Sequence, residues 1–155
     1  MEPEVAFSMT NIDWAAKVKE ALDRTDIMAL STIGPDGSWT SPVQYRYSEK
    51  LNLYFVSLKS SRHVTNILHD PRVSVAIYKP EPFPGPKGGN LGLQIRGRAQ
   101  RLADRARIEE AVSYLGYRPS SPWQVFKITP EELWCSDSRV ARKRKRVDVT
   151  KLDFS

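Results

Sequence analysis

The sequence predicts a mainly β fold, an antiparallel barrel of six or seven short strands that carries two or three helices. Short runs rich in β-branched and aromatic residues are separated by turn residues, such as those of residues 34–37 (GPDG). Helical periodicity occurs in a few places and does not alternate regularly with the strands, as it would in a doubly wound α/β protein. A length of 155 residues is typical of one domain, so we expect a single domain over residues 1–155.

Three segments have the spacing of apolar residues that is typical of amphipathic helices. They are residues 11–24, 61–70 and 104–115. Asn11 and Asp104 are the expected N-caps of the first and third, because short polar side chains there accept hydrogen bonds from the free amides of the first turn. The second helix follows the third strand, so it is inserted between two strands of the barrel.

The remaining periodic segments predict strands. These are residues 27–32, 40–47, 51–57, 73–78, 91–102 and 123–128, with final strands at 133–135 and 147–149. The first three would form a meander, and Gly97 inside its strand predicts a bulge or a close backbone approach. Residues 129–132 indicate a turn or the start of a short helix. Residues 79–90, rich in proline and glycine, predict a long exposed loop beside a site or an interface.

The positive charge of the chain is local. The net charge is +6, but residues 139–146 (RVARKRKR) hold six basic residues and no acid, and the rest of the chain balances to zero. A nucleic-acid face spread over the whole protein is therefore not expected. The segment itself is consistent with a solvated sheet edge, a phosphate or polyanion contact, or a share in a ligand or dimer site.

Several classes of protein are excluded by what the sequence lacks. Cys135 is the sole cysteine, which rules out an intrachain disulfide and leaves a cysteine-based zinc site without ligands. His63 and His69 are six residues apart on one predicted helix, so they lie on different faces and predict no metal site. No apolar run is long enough for a membrane span, and residues 1–4 are acidic where a signal peptide is basic. We therefore expect a cytoplasmic protein without membrane contact.

The most informative segment is the junction of a strand and a helix at residues 56–66 (VSLKSSRHVTN). The strand ends at Ser57, and Ser60 and Ser61 precede a helix whose first turn holds Arg62 and His63. A helix N-terminus carries unpaired amides and a partial positive charge, and hydroxyl and guanidinium donors beside it match phosphate oxygens. The pattern is consistent with a phosphate site, or with simple capping of the helix by Ser61.

Residues from about 26 to 99 resemble the FMN-binding split-barrel family typified by pyridoxamine 5′-phosphate oxidase. The matching motifs, in order, are IMALST, GPDG, the TSPVQYRY/LNLYFVS hairpin, SSRHVTNILHDPRVSVAIY and LQIRGRA. The last third of the chain matches loosely through WQVFKITPEELW. The resemblance implies an antiparallel split β-barrel and a homodimer in which two chains build each flavin site.

The resemblance also implies which residues bind the cofactor. The implied positions are Gln44, Arg46, Val56, Ser57, Ser61, Arg62, His63 and Gln94. Residues 61–63 would contact the FMN phosphate, residues 56–57 the isoalloxazine, and Gln44 and Arg46 the ring and ribityl face. Gln94 would come from the partner side of the dimer. A cation near the reduced ring stabilises its negative charge, and Arg46 is the candidate. No side chain is nominated as a catalytic acid or base.

The function implied by the resemblance is that of an FMN-dependent oxidoreductase acting on a small molecule. Pyridoxamine-phosphate oxidase activity itself is not expected, because the sequence ends VDVTKLDFS without the Arg-Leu-x-Pro type of ending. The alternatives are a reductase that uses the deazaflavin F420 on the same fold, a flavin- or haem-binding module without turnover, and a nucleic-acid-binding protein that uses residues 139–146.

Overall fold

The computed structural model describes residues 11–79 and 91–155, so the predicted loop at 79–90 lies outside the described residues except for Lys79. The helices in these ranges are α1 (Trp14–Arg24), α2 (Arg62–His69), α3 (Arg105–Leu115) and a short 3-10 helix (Val149–Lys151). The strands are β1 (Ile27–Gly34), β2 (Gly37–Gln44), β3 (Arg46–Tyr47), β4 (Leu53–Leu58), β5 (Arg72–Tyr78), β6 (Leu91–Arg101), β7 (Trp123–Asp137) and β8 (Lys145–Val147).

The strands form one antiparallel sheet that curls into a split barrel. Its order is β2-β1-β5-β6-β7-β4-β3, with β8 added to β7. The first and last strands of this path are β2 and β3, which follow one another in the chain and are connected by Tyr45. The barrel is therefore closed here by the polypeptide chain and not by a ladder of hydrogen bonds between the two strands. Alternate side chains point inward to a common core in β5, where every second residue is buried, and in most of β6. The predicted fold class is confirmed.

The predicted strand 40–47 is divided at Tyr45, because this residue turns into the core instead of continuing the ladder. Its N–H donates to the Asp26 carbonyl at 2.8 Å, and its hydroxyl lies 2.7 Å from the carbonyl oxygens of Leu22 and Thr25. As a result β2 pairs with β1 while β3 pairs with β4. The predicted three-stranded meander is therefore two hairpins, β1–β2 and β3–β4, which are joined by the bend at Tyr45.

The predicted turn at residues 129–132 is wrong, because β7 runs without interruption from Trp123 to Asp137. The turn residues instead form a bulge, where the register between β6 and β7 shifts at Gly97 and Pro130. Proline fits there because a bulge leaves its missing N–H unneeded. A Cβ at Gly97 would overlap the carbonyl oxygen of Thr129, so both features predicted for Gly97 are confirmed.

Two of the helices pack on separate apolar clusters of the sheet. α1 buries Trp14, Val18, Ala21 and Leu22 on the core, and its N-cap is Asp13, whose carboxylate accepts from the Ala16 amide at 3.0 Å, not the predicted Asn11. α3 has the predicted cap Asp104 and ends at Gly116 with a φ of +83°. It packs outside the barrel on a second apolar cluster, formed by Tyr54, Leu102, Ala111 and Val125.

The end of the chain differs in detail from the prediction. The final strand is Lys145–Val147 instead of residues 147–149, and the 3-10 helix begins where that strand was expected to end. Within the described residues, no helix combines the length and the apolar character that crossing a membrane requires.

Candidate functional site

The end of β4 and the first turn of α2 are joined by a hydrogen bond between two predicted site residues. The Nε2 atom of His63 lies 2.6 Å from the hydroxyl of Ser57, which is only 5% exposed. Burial lowers the pKa of His63 below its ordinary value, so the imidazole is neutral at neutral pH. The structure thus brings Ser57 and His63 together in a partly dry position.

The N-terminus of α2 is left open by its own cap residue. Ser61 occupies the N-cap position, but its hydroxyl donates to the Leu58 carbonyl at 2.7 Å and makes no capping hydrogen bond. The Ser61 side chain therefore does not cap the helix, which was the alternative explanation of this sequence pattern. The first amides of a helix have no intrahelical acceptor, so they remain available to an anion.

Arg62 lies beside this open turn but is directed to a neighbouring hairpin. Its guanidinium carbon is 4.1 Å from the centre of the Trp39 ring, a cation–π contact on an exposed side chain. Such a contact is worth about 0.5–1 kcal/mol at an exposed site, less than a charged hydrogen bond. An anion at the helix N-terminus would therefore compete well for this guanidinium.

α2 is positioned by a polar contact with β1. The Asn66 Nδ2 atom donates to the buried Thr32 hydroxyl at 3.0 Å. Gly34 makes room for this amide, since a Cβ there would overlap Asn66 Oδ1. The first turn of α2 is thus held at a fixed place relative to the barrel.

A narrow cleft beside β4 contains three further predicted residues. It is lined by Gln44, Tyr45, Arg46, Val56, Leu115 and Tyr117. Asp26 organises the polar side, because it accepts from Gln44 Nε2 at 2.8 Å and lies 3.8 Å from Arg46 Nη1. The cleft has only about 50 Å³, so one chain alone does not enclose an isoalloxazine ring. Sequence reasoning missed Leu115, the last residue of α3, and Tyr117, which follows the helix; neither belongs to a motif.

Gln94 and Val56 lie beside different parts of β7. Gln94 pairs with Trp134 on β7, whereas Val56 pairs with Val125 on the same strand. These β7 positions are nine residues apart, which corresponds to roughly 30 Å along the strand. Along β7, the positions beside Gln94 and Val56 of one chain are therefore well separated.

Gln94 lies instead on an uncovered outer face of the sheet. This face holds small side chains on neighbouring strands, namely Ala29, Ser31, Thr40, Ser74 and Ala76. Large apolar residues flank them, with Ile27 45% exposed and Tyr78 50% exposed. The sequence signal for this face was the alanine and serine at outward positions of the strands. Outward positions that face water are normally occupied by charged or larger polar residues.

The arrangement can bind a phosphate at α2 and an apolar ring along β4. No group of histidine, cysteine and carboxylate side chains that could hold a metal occurs in residues 11–79 and 91–155. Cys135 is buried, and burial raises the pKa of its thiol to about 12, so it is not a reactive nucleophile.

Comparisons with known proteins agree with this reading of the fold. A chain described as a haem-binding protein from Mycobacterium smegmatis superposes with a TM-score of 0.72 at 19% identity, covering 90% of this chain and 59% of its own length. The haem storage protein HutZ from Vibrio cholerae gives a TM-score of 0.61 at 16% identity, covering 78% of this chain and 93% of HutZ. An FAD-binding protein from Mesorhizobium loti gives 0.59 at 22% identity, covering 77% of this chain and 91% of that one.

These identities establish a shared fold and nothing finer. This chain spans about 59% of the length of the M. smegmatis protein. A comparison with curated proteins finds no match. The family model for pyridoxamine 5′-phosphate oxidase, in contrast, matches residues 15–136, which include the barrel strands β1 to β6 and the helix α2. The chain therefore belongs to the pyridoxamine 5′-phosphate oxidase family.

Proposed function

We propose that the protein is an FMN-dependent oxidoreductase that acts on a small molecule. We further propose that it works as a homodimer with two flavin sites at its interface, each built by both chains. The observation that carries this proposal is the open N-terminus of α2, where the Ser61 hydroxyl points to Leu58 and leaves the first amides of the helix without a cap. Every other step of the proposal starts from this anion site.

The phosphate of the flavin would bind at the first turn of α2. The free amides and the helix dipole favour an anion there, and Ser61 and Arg62 would add donors once they leave their contacts with Leu58 and Trp39. His63 is neutral and held by Ser57, so it would contribute a hydrogen bond and not a charge. This fit of residues to a phosphate supports FMN, whose phosphate is its sole strongly charged group.

The ring would lie along β4, across the mouth of the narrow cleft. Val56 and Leu115 provide apolar contact, and Gln44 provides an amide donor on the same side. Arg46 is exposed; its Nη1 atom donates to the Tyr45 carbonyl at 3.0 Å and lies 3.8 Å from Asp26, so a ring carbonyl would have to share or replace these contacts. When bound, FMN supplies the hydride chemistry, while the chain positions the ring and adjusts its potential through these donors.

The homodimer is supported by the distance between predicted site residues. Because Gln94 is roughly 30 Å along β7 from the position beside Val56, we expect the flavin that lies against Val56 to meet Gln94 of the partner subunit. The uncovered outer face of small side chains around Gln94 is a suitable contact surface for a second copy. The small volume of the cleft points the same way, since the partner would have to close it.

Haem is the second candidate, because two of the similar structures are named for haem. Haem iron is commonly held by a histidine, and this chain has His63 and His69 alone. His63 is engaged by Ser57, and His69 is exposed at the far end of α2. Ligation by His63 would require the loss of the 2.6 Å hydrogen bond, which favours FMN.

The experiment is a titration of the purified full-length protein with FMN, with F420 and with haem, followed by absorption and by flavin fluorescence. We expect saturable binding of one FMN per chain, with a dimeric mass by light scattering. Binding of haem with a Soret band and no FMN binding would overturn the proposal, and so would preference for F420. A bound flavin that can be neither reduced nor reoxidised would indicate a module without turnover.

A further inference from the structure

The basic segment of the chain forms a loop that is fixed at both ends. On one side, the buried Asp137 accepts from Arg139 Nη2 at 2.8 Å and pairs with Lys17 Nζ at 3.0 Å. Ala141 is then buried in the core with 3% exposure. On the other side, β8 pairs with β7 from Lys145 onward. Residues 142–144 are thus presented on a short, anchored loop and not on a free tail.

The three residues of this loop carry unbalanced positive charge. Arg142, Lys143 and Arg144 are all exposed. Within the part of the chain that the structure describes, none of them forms an ion pair or a hydrogen bond with another side chain. The nearby acids are already engaged: Glu132 is bound by Arg96 at 3.0 Å and by the Trp134 indole at 2.7 Å.

The loop borders a cleft whose lining contains basic and uncharged residues but no acidic residue. The lining residues are Gln94, Trp134, Ser136, Ser138, Ala141, Arg142, Lys143 and Arg144. Its volume is about 660 Å³, within the range of about 300–1,000 Å³ that is usual for small-molecule sites. Three cations, an amide, an indole and two hydroxyls without an acid make a site whose missing component is an anion.

The cleft contains Gln94, and this connects the loop to the flavin. On the proposed function, on which this inference rests, Gln94 is donated across the dimer to the flavin of the partner. The cleft would then open beside that flavin, and its cations would lie on the path by which a reactant approaches the ring.

We propose that Arg142, Lys143 and Arg144 form an anion-binding edge of the partner subunit's flavin site, and that the reactant of the enzyme is a small molecule with a phosphate or carboxylate group. Nucleic acid is the less suitable occupant of the same charges. The chain outside residues 139–146 has a balanced charge, and these three cations lie at a concave cleft and not along an extended stripe.

The first test measures anion binding by the chain without flavin. Calorimetric titration with inorganic pyrophosphate at low ionic strength is compared between the wild type and the variant Arg142→Gln/Lys143→Gln/Arg144→Gln. The matched control, Arg105→Gln/Arg107→Gln/Lys151→Gln, removes the same charge from exposed positions outside the cleft. We expect at least tenfold weaker binding in the loop variant and little change in the control. Equal binding in all three proteins overturns the anion site.

The second test uses the flavin-loaded protein. Bound flavin is reduced without oxygen and then reoxidised by ferricyanide, of which two ions take one electron each, or by neutral benzoquinone, which takes two electrons and two protons. We expect the loop variant to react at least fivefold more slowly with ferricyanide at low salt, with an unchanged rate for benzoquinone. Equal slowing by both oxidants, or by neither, overturns the assignment to the flavin site.

The two tests separate this inference from the proposed function. If the wild type takes up no FMN, the proposed function fails and the loop has no flavin site to serve, while the pyrophosphate titration still reports whether it binds anions. If a labelled oligonucleotide binds the wild type and not the loop variant, and pyrophosphate binds neither, the segment is a nucleic-acid contact and the inference is overturned.

Discussion

The Nε2 atom of His63 lies 2.6 Å from the hydroxyl of Ser57, and this contact joins the first turn of α2 to the end of β4. The pair lies between the two parts of the proposed flavin site, the anion site at α2 and the apolar wall along β4. Because burial lowers the pKa of His63, protonation of this side chain is linked to the stability of the folded chain.

We predict that His63 makes the protein less stable at mildly acidic pH. The pKa of His63 is lower in the folded chain than its ordinary value of 6.5, so the unfolded chain binds the proton more readily. The free energy of unfolding should therefore be constant above about pH 6.5 and should fall as the pH decreases below it. Urea unfolding at a series of pH values between 7.5 and 5 measures this dependence.

The variant His63→Gln should lose this part of the pH dependence, and should be about 0.5–1.5 kcal/mol less stable at pH 7 because the contact with Ser57 is weakened. The matched control is His69→Gln, which changes the exposed histidine of the same helix. A wild-type slope that persists in His63→Gln and disappears in His69→Gln would contradict the assignment.

Arg62 is predicted to bind the flavin phosphate although it now stacks on Trp39. The variant Arg62→Ala should weaken FMN binding by about 1.5–3 kcal/mol, the value of a charged hydrogen bond. Fluorescence titration with FMN measures the change, and titration with riboflavin, which lacks the phosphate, should show no difference between the variant and the wild type.

Trp39 offers a control for the same residue. The variant Trp39→Leu removes the ring that holds the guanidinium at 4.1 Å, while the charge of Arg62 remains. FMN affinity should then stay the same or increase, since the phosphate no longer competes with the indole. A loss as large as that in Arg62→Ala would instead place Trp39 itself in the binding site.

The sequence predicted most of the strands and helices, but it did not predict the break in a strand at Tyr45 or the bulge at Pro130. Alternation and turn residues predicted the strands, and the cap Asp104 was predicted correctly, whereas the cap of the first helix is Asp13 and not the predicted Asn11. The break at Tyr45 was missed, since its cause is a buried hydroxyl that meets carbonyls in α1 and in the turn after it. Pro130 was read as a turn because its bulge depends on Gly97 in another strand.

The candidate site was predictable to a similar extent. The junction Ser61-Arg62-His63 combines donors with a helix start, and that combination is visible in the sequence. The contact between His63 and Ser57, and the direction of Arg62 toward Trp39, are not, since they depend on the angle between α2 and the barrel. The separation of Gln94 from Val56 required the register of β7, which no local pattern encodes.

Gly97 should be intolerant of any side chain. A Cβ there would overlap the Thr129 carbonyl oxygen in the bulge. The backbone fixes the positions of both atoms, so no side-chain rotation can relieve the overlap. The variant Gly97→Ala should therefore lose about 1–3 kcal/mol of stability, the usual cost of overpacking. The control is Gly92→Ala in the same strand, where the nearest atom to a Cβ, the Ile77 carbonyl oxygen, would be 3.4 Å away. Comparable losses in both variants by urea unfolding would contradict the bulge explanation.

The proposed dimer makes a prediction for the centre of the uncovered outer face. Ala76 is exposed there and pairs with Ala29 on one side and with Gln94 on the other. The variant Ala76→Arg would put an unpaired charge into the contact, which costs several kcal/mol, so we expect dimer affinity to fall by on the order of 100-fold or more. Light scattering over a range of concentrations measures the mass.

FMN binding should fall together with dimerisation in Ala76→Arg, because Gln94 would reach the flavin from the other subunit. The matched control is Ala106→Arg, the same substitution at an exposed position of α3 away from that face. It should leave both the mass and the FMN affinity unchanged. A monomeric Ala76→Arg protein that binds FMN as tightly as the wild type would show that one chain completes the site, and the roughly 30 Å separation along β7 would then need another explanation.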